Sequence, residues 1–198
     1  MLIAAEQKTN PRLMETIGTF DLVPVTRRVS GPGASYLMAP FTHVYPERPS
    51  RFGAGTYGVL YAARTYETAL LETIHHHARF MAQTGQPPGW TSQFRVLVRD
   101  ILASLHDLWG GIDAFASTLD PNCNTAAQQL AAALRDSGSH GLVYPSRRAP
   151  AGVCVGLFYP DLASPPVQWR HLDYHWDGVR ADLVRDDGTG EVFRLKEW

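Results

Sequence analysis

A chain of 198 residues with 18 Lys+Arg against 19 Asp+Glu, for a formal net charge of −1, offers no electrostatic case for nucleic acid or an anionic membrane. Hydrophobic residues at 44% and charged residues at 19% are a globular balance, and the length suits one domain whose core needs no disulfide or metal staple. Cys123 and Cys154 have neither CxxC nor zinc spacing, no apolar run is long enough to cross a membrane, and Met1 to Lys8 lacks a secretory pattern, so a cytoplasmic setting is expected.

Residues 1–19, weakly helical and interrupted by Pro11, read as an N-terminal arm, and residues 20–198 as the domain proper. Phe20 to Val29 looks β-like. Residues 30–50 carry Gly31, Pro32, Gly33, Pro40, Pro46 and Pro49, which predicts loop with a short helical turn over Tyr36–Met38. After Gly58, the apolar run Val59 to Ala63 predicts a central strand. Thr65 can cap the helix that follows, with Glu67 in its first turn. On the helical wheel Leu70, Leu71, Ile74, Ala78 and Met81 share the core face, whereas Glu72, His76 and Arg79 fall on the opposite one. Gly85 to Gly89 ends the helix.

Further on, Gln93 to Val98 alternates like a strand, with Phe94, Val96 and Val98 on one face. Ile101 to Trp109 is a strand end and turn, and Asn124 to Asp136 an alanine-rich helix. Gly141 to Ser146 is a strand entering a loop, and Val153 to Tyr159 a strand closed by Pro160. Gln168 to Trp198 reads as a meander of short strands with a turn at Asp186-Asp187-Gly188. The sum is an α+β single domain with a mixed or antiparallel central sheet flanked by helices.

Four features invite a chemical reading. His75-His76-His77 cannot all reach one metal, because successive helical residues point about 100° apart, and no third ligand joins Glu72 and His76; no metal is expected. Gly53-Ala-Gly55-Thr-Tyr-Gly58 looks like a phosphate loop but leads into a strand, so a tight turn competes equally. Ser146 lacks a Gly-x-Ser-x-Gly setting or a local base, which favours hydrogen bonding to a ligand over nucleophilic attack. Glu72 either lines a cleft or makes a surface pair with Arg79.

Taken together, Arg51-Phe-Gly, Gly58-Val-Leu-Tyr61-Ala-Ala, Glu67-Thr-Ala-Leu-Leu-Glu72-Thr and Gly141-Leu-Val-Tyr-Pro-Ser146-Arg resemble the RES domain over about residues 20–165, leaving 166–198 as a β-rich tail. That family is named for an arginine, a glutamate and a serine. The resemblance implies an ADP-ribosyltransferase-like fold and a toxin of a type II toxin–antitoxin pair, with NAD+ as substrate. Its nicotinamide–ribose bond would be cleaved by phosphorolysis or hydrolysis, with inorganic phosphate a possible co-substrate. It also implies an Xre-like helix-turn-helix antitoxin as partner and a possible homodimer. Site roles carry over as follows: Glu72 stabilises the cationic sugar, Arg51 holds a phosphate, and Tyr61 stacks on or bonds to nicotinamide or ribose. Ser146 binds nicotinamide or ribose, with Tyr57 and Arg147 as further binding residues. Relatives often carry an asparagine where this chain has Val153-Cys154-Val155. A protein ADP-ribosyltransferase and a non-catalytic binding module on the same fold are the alternatives.

Overall fold

The structure, a computed structural model, describes residues 18–111 and 113–195, so the N-terminal arm lies almost wholly outside the described residues. Two 3-10 turns, Phe20–Leu22 and Val25–Arg27, replace the β-like stretch anticipated there. Pro24 between them has no N–H to give a ladder, while its carbonyl accepts the Arg27 N–H at 2.9 Å. Helix α1 (Ala34–Thr42) then occupies the region expected to be loop, with Pro40 inside it. Burial decides the matter: Leu37, Met38 and Phe41 are all enclosed, so packing on one helical face outweighs the poor local propensity.

Strand β1 (Leu60–Ala63) and helix α2 (Tyr66–Thr84) follow as anticipated, with Thr65 Oγ1 accepting the Thr68 N–H at 3.3 Å. The remaining elements are β2 (Trp90–Val98), β3 (His106–Asp107), α3 (Thr125–Asp136), β4 (Gly141–Pro145), β5 (Val153–Leu157), β6 (Val167–Trp176), β7 (Ala181–Asp186) and β8 (Val192–Arg194). The α+β reading holds, and the strands divide into two four-stranded sheets, ordered β1-β5-β4-β3 and β2-β6-β7-β8. The first is mixed, since β3 and β4 run parallel; the second is antiparallel throughout. β1 is thus an edge strand paired to β5, not a central one.

Helix α2 joins the two sheets. Tyr66, Leu70 and Ile74 pack on the Leu172, Tyr174 and Val184 cluster of the second sheet, together with Phe94 and Val96. Val98, expected on that face, is 52% exposed, because a register shift between Arg95 and Leu97 turns the end of β2 outward. Thr68, on the other flank of α2, is buried against the loop between β4 and β5. A Cβ on Gly152 would come within 2.8 Å of Thr68 Oγ1, so only glycine lets the loop press on the start of the helix. The core of the first sheet gathers Phe52, Tyr57, Leu142, Tyr144, Cys154 and Phe158 with Ala127 and Ala131 of α3, whose small side chains allow close approach.

Candidate active site

Glu72 lies two turns into α2 on the flank shared with Thr68, its side chain 23% exposed. Ser146 sits just past β4, where the chain turns into the Gly152 loop. Seventy-four residues apart in sequence, they meet: Ser146 Oγ donates to Glu72 Oε1 at 2.6 Å. The same oxygen accepts the backbone N–H groups of Arg148 at 3.0 Å and Ala149 at 2.9 Å. A serine hydroxyl has one hydrogen and two lone pairs, so these three bonds use all of it. Ser146 therefore holds the Glu72 carboxylate in place.

The Arg51 corner is built on the sheet beside them. Phe52 lies on Gly156 of β5, where a Cβ would come within 3.3 Å of its ring, and meets Tyr144 edge-on at 5.0 Å between centroids. The Phe52 N–H donates to Tyr61 Oη at 2.9 Å, and Tyr61 Oη and Ser50 Oγ share a second 2.9 Å bond. Tyr57 Oη donates to the Phe52 carbonyl at 2.8 Å. Tyr57 is buried in the core, and Arg135 lies over its ring at 4.6 Å, so it braces the loop from inside and presents nothing outward. The Tyr61 hydroxyl is enclosed, which pushes its pKa up to about 12, while 39% of the residue as a whole remains exposed. Arg51 itself extends to the turn before α3, where Nη1 donates to the carbonyls of Asp120 at 3.2 Å and Thr118 at 3.4 Å.

These two corners form one electrostatic neighbourhood. Burial pushes the Cys154 thiol up to about 12 and the Tyr144 hydroxyl well above its ordinary value; the Glu72 carboxylate adds to both shifts and the Arg51 guanidinium opposes them. Tyr144 and Cys154 stand opposite each other in the β4–β5 register, with the thiol beside Ser146. His76 Nε2 is 3.7 Å from Glu72 Oε2, one turn further along the helix. Burial lowers the pKa of His76, and Arg79, Arg148 and Arg51 lower it further against the pull of Glu72. His75 is lowered to about 4, first by burial, then by Arg148, His76 and Arg79. His77 instead belongs to the aromatic cluster of the second sheet, 5.0 Å from Phe94 and 5.9 Å from Tyr174. Among the described residues no group of three or more His, Cys, Asp or Glu is arranged to hold a metal ion.

Arg51, Tyr61, Glu72 and Ser146 are thus brought to one face of the first sheet, whereas Tyr57 is withdrawn into its core. Arg147 is exposed, and its neighbour Arg148 is the one whose charge reaches His75 and His76. Tyr144, Cys154 and Arg148 were given no site role by sequence reasoning. The strand alternation could have found Tyr144, two residues before Ser146, but Cys154 needs the strand register. Two open pockets, of about 430 and 290 Å³, lie along the second sheet, lined by Trp169, Arg170 and Asp186 and by Gln93, Arg95 and His171. Neither includes Arg51, Glu72 or Ser146. A closed ion pair forms part of the wall of the first: Asp186 accepts Arg170 at 2.6 Å and the Gly188 and Thr189 N–H groups at 2.9 and 3.3 Å. Open volume does not mark the candidate face: the first sheet brings the Glu72 carboxylate and the Arg51 guanidinium near each other with no ion pair between them among the described residues, whereas Asp186 and Arg170 beside Trp169 are bonded to each other.

A search of the curated proteins found no match. The family model of the RES domain matches residues 25–177, from the second 3-10 turn through β6, so the likeness reaches past the expected limit near 165. All four segments that carried the resemblance lie inside that span, on the elements that build the Arg51–Glu72–Ser146 face. By sequence across most of its length, the chain belongs to the RES domain family.

Proposed function

We propose that the protein consumes NAD+ by cleaving its nicotinamide–ribose bond, as the toxin of a type II toxin–antitoxin pair acting in the cytoplasm. The observation that carries the reading is the Glu72 carboxylate held at 2.6 Å by a saturated Ser146, beside the Arg51 corner. Breaking this bond places positive charge on the ribose, as glycoside cleavage does, and a fixed carboxylate stabilises that charge as it develops. Arg51, anchored through one guanidinium nitrogen, has further donors for a dinucleotide phosphate or for attacking inorganic phosphate. The exposed part of Tyr61 offers a surface for the nicotinamide or the ribose. Ser146 contributes by orienting Glu72. Family membership supports the same reading, in which the partner is an Xre-like helix-turn-helix antitoxin.

The test is to incubate the purified protein with NAD+, with and without inorganic phosphate, and to identify the products. Free nicotinamide with ADP-ribose 1″-phosphate marks phosphorolysis, and free ADP-ribose marks hydrolysis. Transfer of labelled ADP-ribose to a protein would move the chain to the protein ADP-ribosyltransferases. Glu72→Gln should slow NAD+ loss by about 10²–10³-fold with the fold intact; undiminished turnover in that variant would sink the assignment.

A further inference from the structure

The Arg51 corner is braced by a residue that belongs to neither the sheet nor the loop. Gln128 of α3 donates from Nε2 to the Ser50 carbonyl at 2.9 Å, across 78 residues of sequence. The turn leading to α3 supplies the Thr118 and Asp120 carbonyls that accept from Arg51 Nη1. Leu119, between them, is buried in the core, so those carbonyls are fixed to the body of the domain. Ser50 N–H donates to Gly53 O at 2.8 Å, and Ser50 Oγ is bonded to Tyr61. The peptide before Arg51 is thus held from three directions, and among the described bonds Gln128 is the partner recorded for the Ser50 carbonyl.

We propose that Gln128 is a positioning residue for Arg51: with the Thr118 and Asp120 carbonyls it fixes the root and one arm of the guanidinium, leaving the remaining donors aimed at an anionic group of the substrate. The function rests on the NAD+ reading, but the clamp itself does not. A guanidinium held at one nitrogen by two carbonyls loses less further entropy on binding phosphate, which is the benefit of pre-organisation. Gln128 touches no reacting atom. Its loss should therefore weaken uniform binding and spare the chemical step.

Two variants test this. Gln128→Met keeps the length and helix propensity but removes the donor, and Gln128→Lys restores a donor. Gln128→Met should raise KM for NAD+ by about tenfold, the scale of one lost hydrogen bond, with kcat within about threefold and a small loss of thermal stability. Gln128→Lys should recover most of the loss. An unchanged KM, or a rise that Gln128→Lys does not reverse, would overturn the proposal. Nitrogen-15 spectra of the Arg51 guanidinium provide a readout that needs no turnover. Rotation about Cζ–Nη1 should be slow in the unaltered protein and faster in Gln128→Met. Equal rates in both would reject the clamp, whereas slowed rotation in a protein inactive on NAD+ would reject the substrate and keep the clamp.

Discussion

The two sheets do opposite things with their polar groups. The second sheet pairs its polar groups with one another: Arg170 with Asp186 in an ion pair at 2.6 Å, and His175 Nδ1 with Asp182 Oδ1 at 2.5 Å. Its core is aromatic, with Trp176 and Tyr174 almost fully enclosed. On the first sheet the polar groups are braced but not cancelled. Glu72 is held by a neutral hydroxyl and Arg51 by neutral carbonyls, so each keeps its charge available to a ligand. A salt bridge between the two would have neutralised both. Structure is maintained where opposite charges meet, and chemistry is kept possible where each charge meets only dipoles.

The largest effect that tests this division is on stability. Trp176, 1% exposed and donating Nε1 to the Gln86 carbonyl at 3.2 Å, anchors the second sheet. Trp176→Ala should cost about 3–5 kcal/mol in denaturant unfolding while the remaining folded molecules keep their turnover. Loss of turnover in excess of the unfolded fraction would make the two sheets one functional unit. An intermediate effect comes from pH acting on α2, the element that joins them. In the fold His75 is held near 4, and His76 and His77 are lowered in the same direction. An unfolded chain takes up these protons from about pH 6.5 downward. The unfolded state therefore binds more protons across that window, so stability is full above about pH 6.5 and falls as the pH drops toward 4. His75→Gln should flatten that slope in melting curves; identical slopes would free His75 of the role. The smallest effect is on thiol reactivity. Exposed Cys123, its pKa lowered by bonds to Thr125, should react with iodoacetamide well before Cys154, which burial raises to about 12. Rapid labelling of Cys154 in the folded protein would mean that the first-sheet face opens readily.

Much of the local order was legible from sequence. The Thr65 cap, the strand before it and the placing of Glu72 away from the apolar stripe all follow from spacing along one element. Helix α1 was not, because Pro40 argues against it locally and the burial of Leu37, Met38 and Phe41 that outweighs it comes from the rest of the fold. The division into two sheets depends on strand partners, which periodicity does not name. Ser146 could be placed with Glu72 only through family likeness, and its bonds to the N–H groups of Arg148 and Ala149 were not legible because they depend on how the following loop turns. Gln128 carried no signal at all: one amide on an alanine-rich helix, bonded to a carbonyl 78 residues away, has no pattern to betray it.

The bonding of Ser146 also bears on inhibition. Phosphonylating and sulfonylating reagents find serines that have a free lone pair to offer. This hydroxyl has spent both lone pairs on backbone N–H groups, and its hydrogen is already given to a carboxylate. Ser146 is therefore a poor target for an electrophile. Compounds meant to block this face would do better to present a cation to Glu72 and an anion to Arg51.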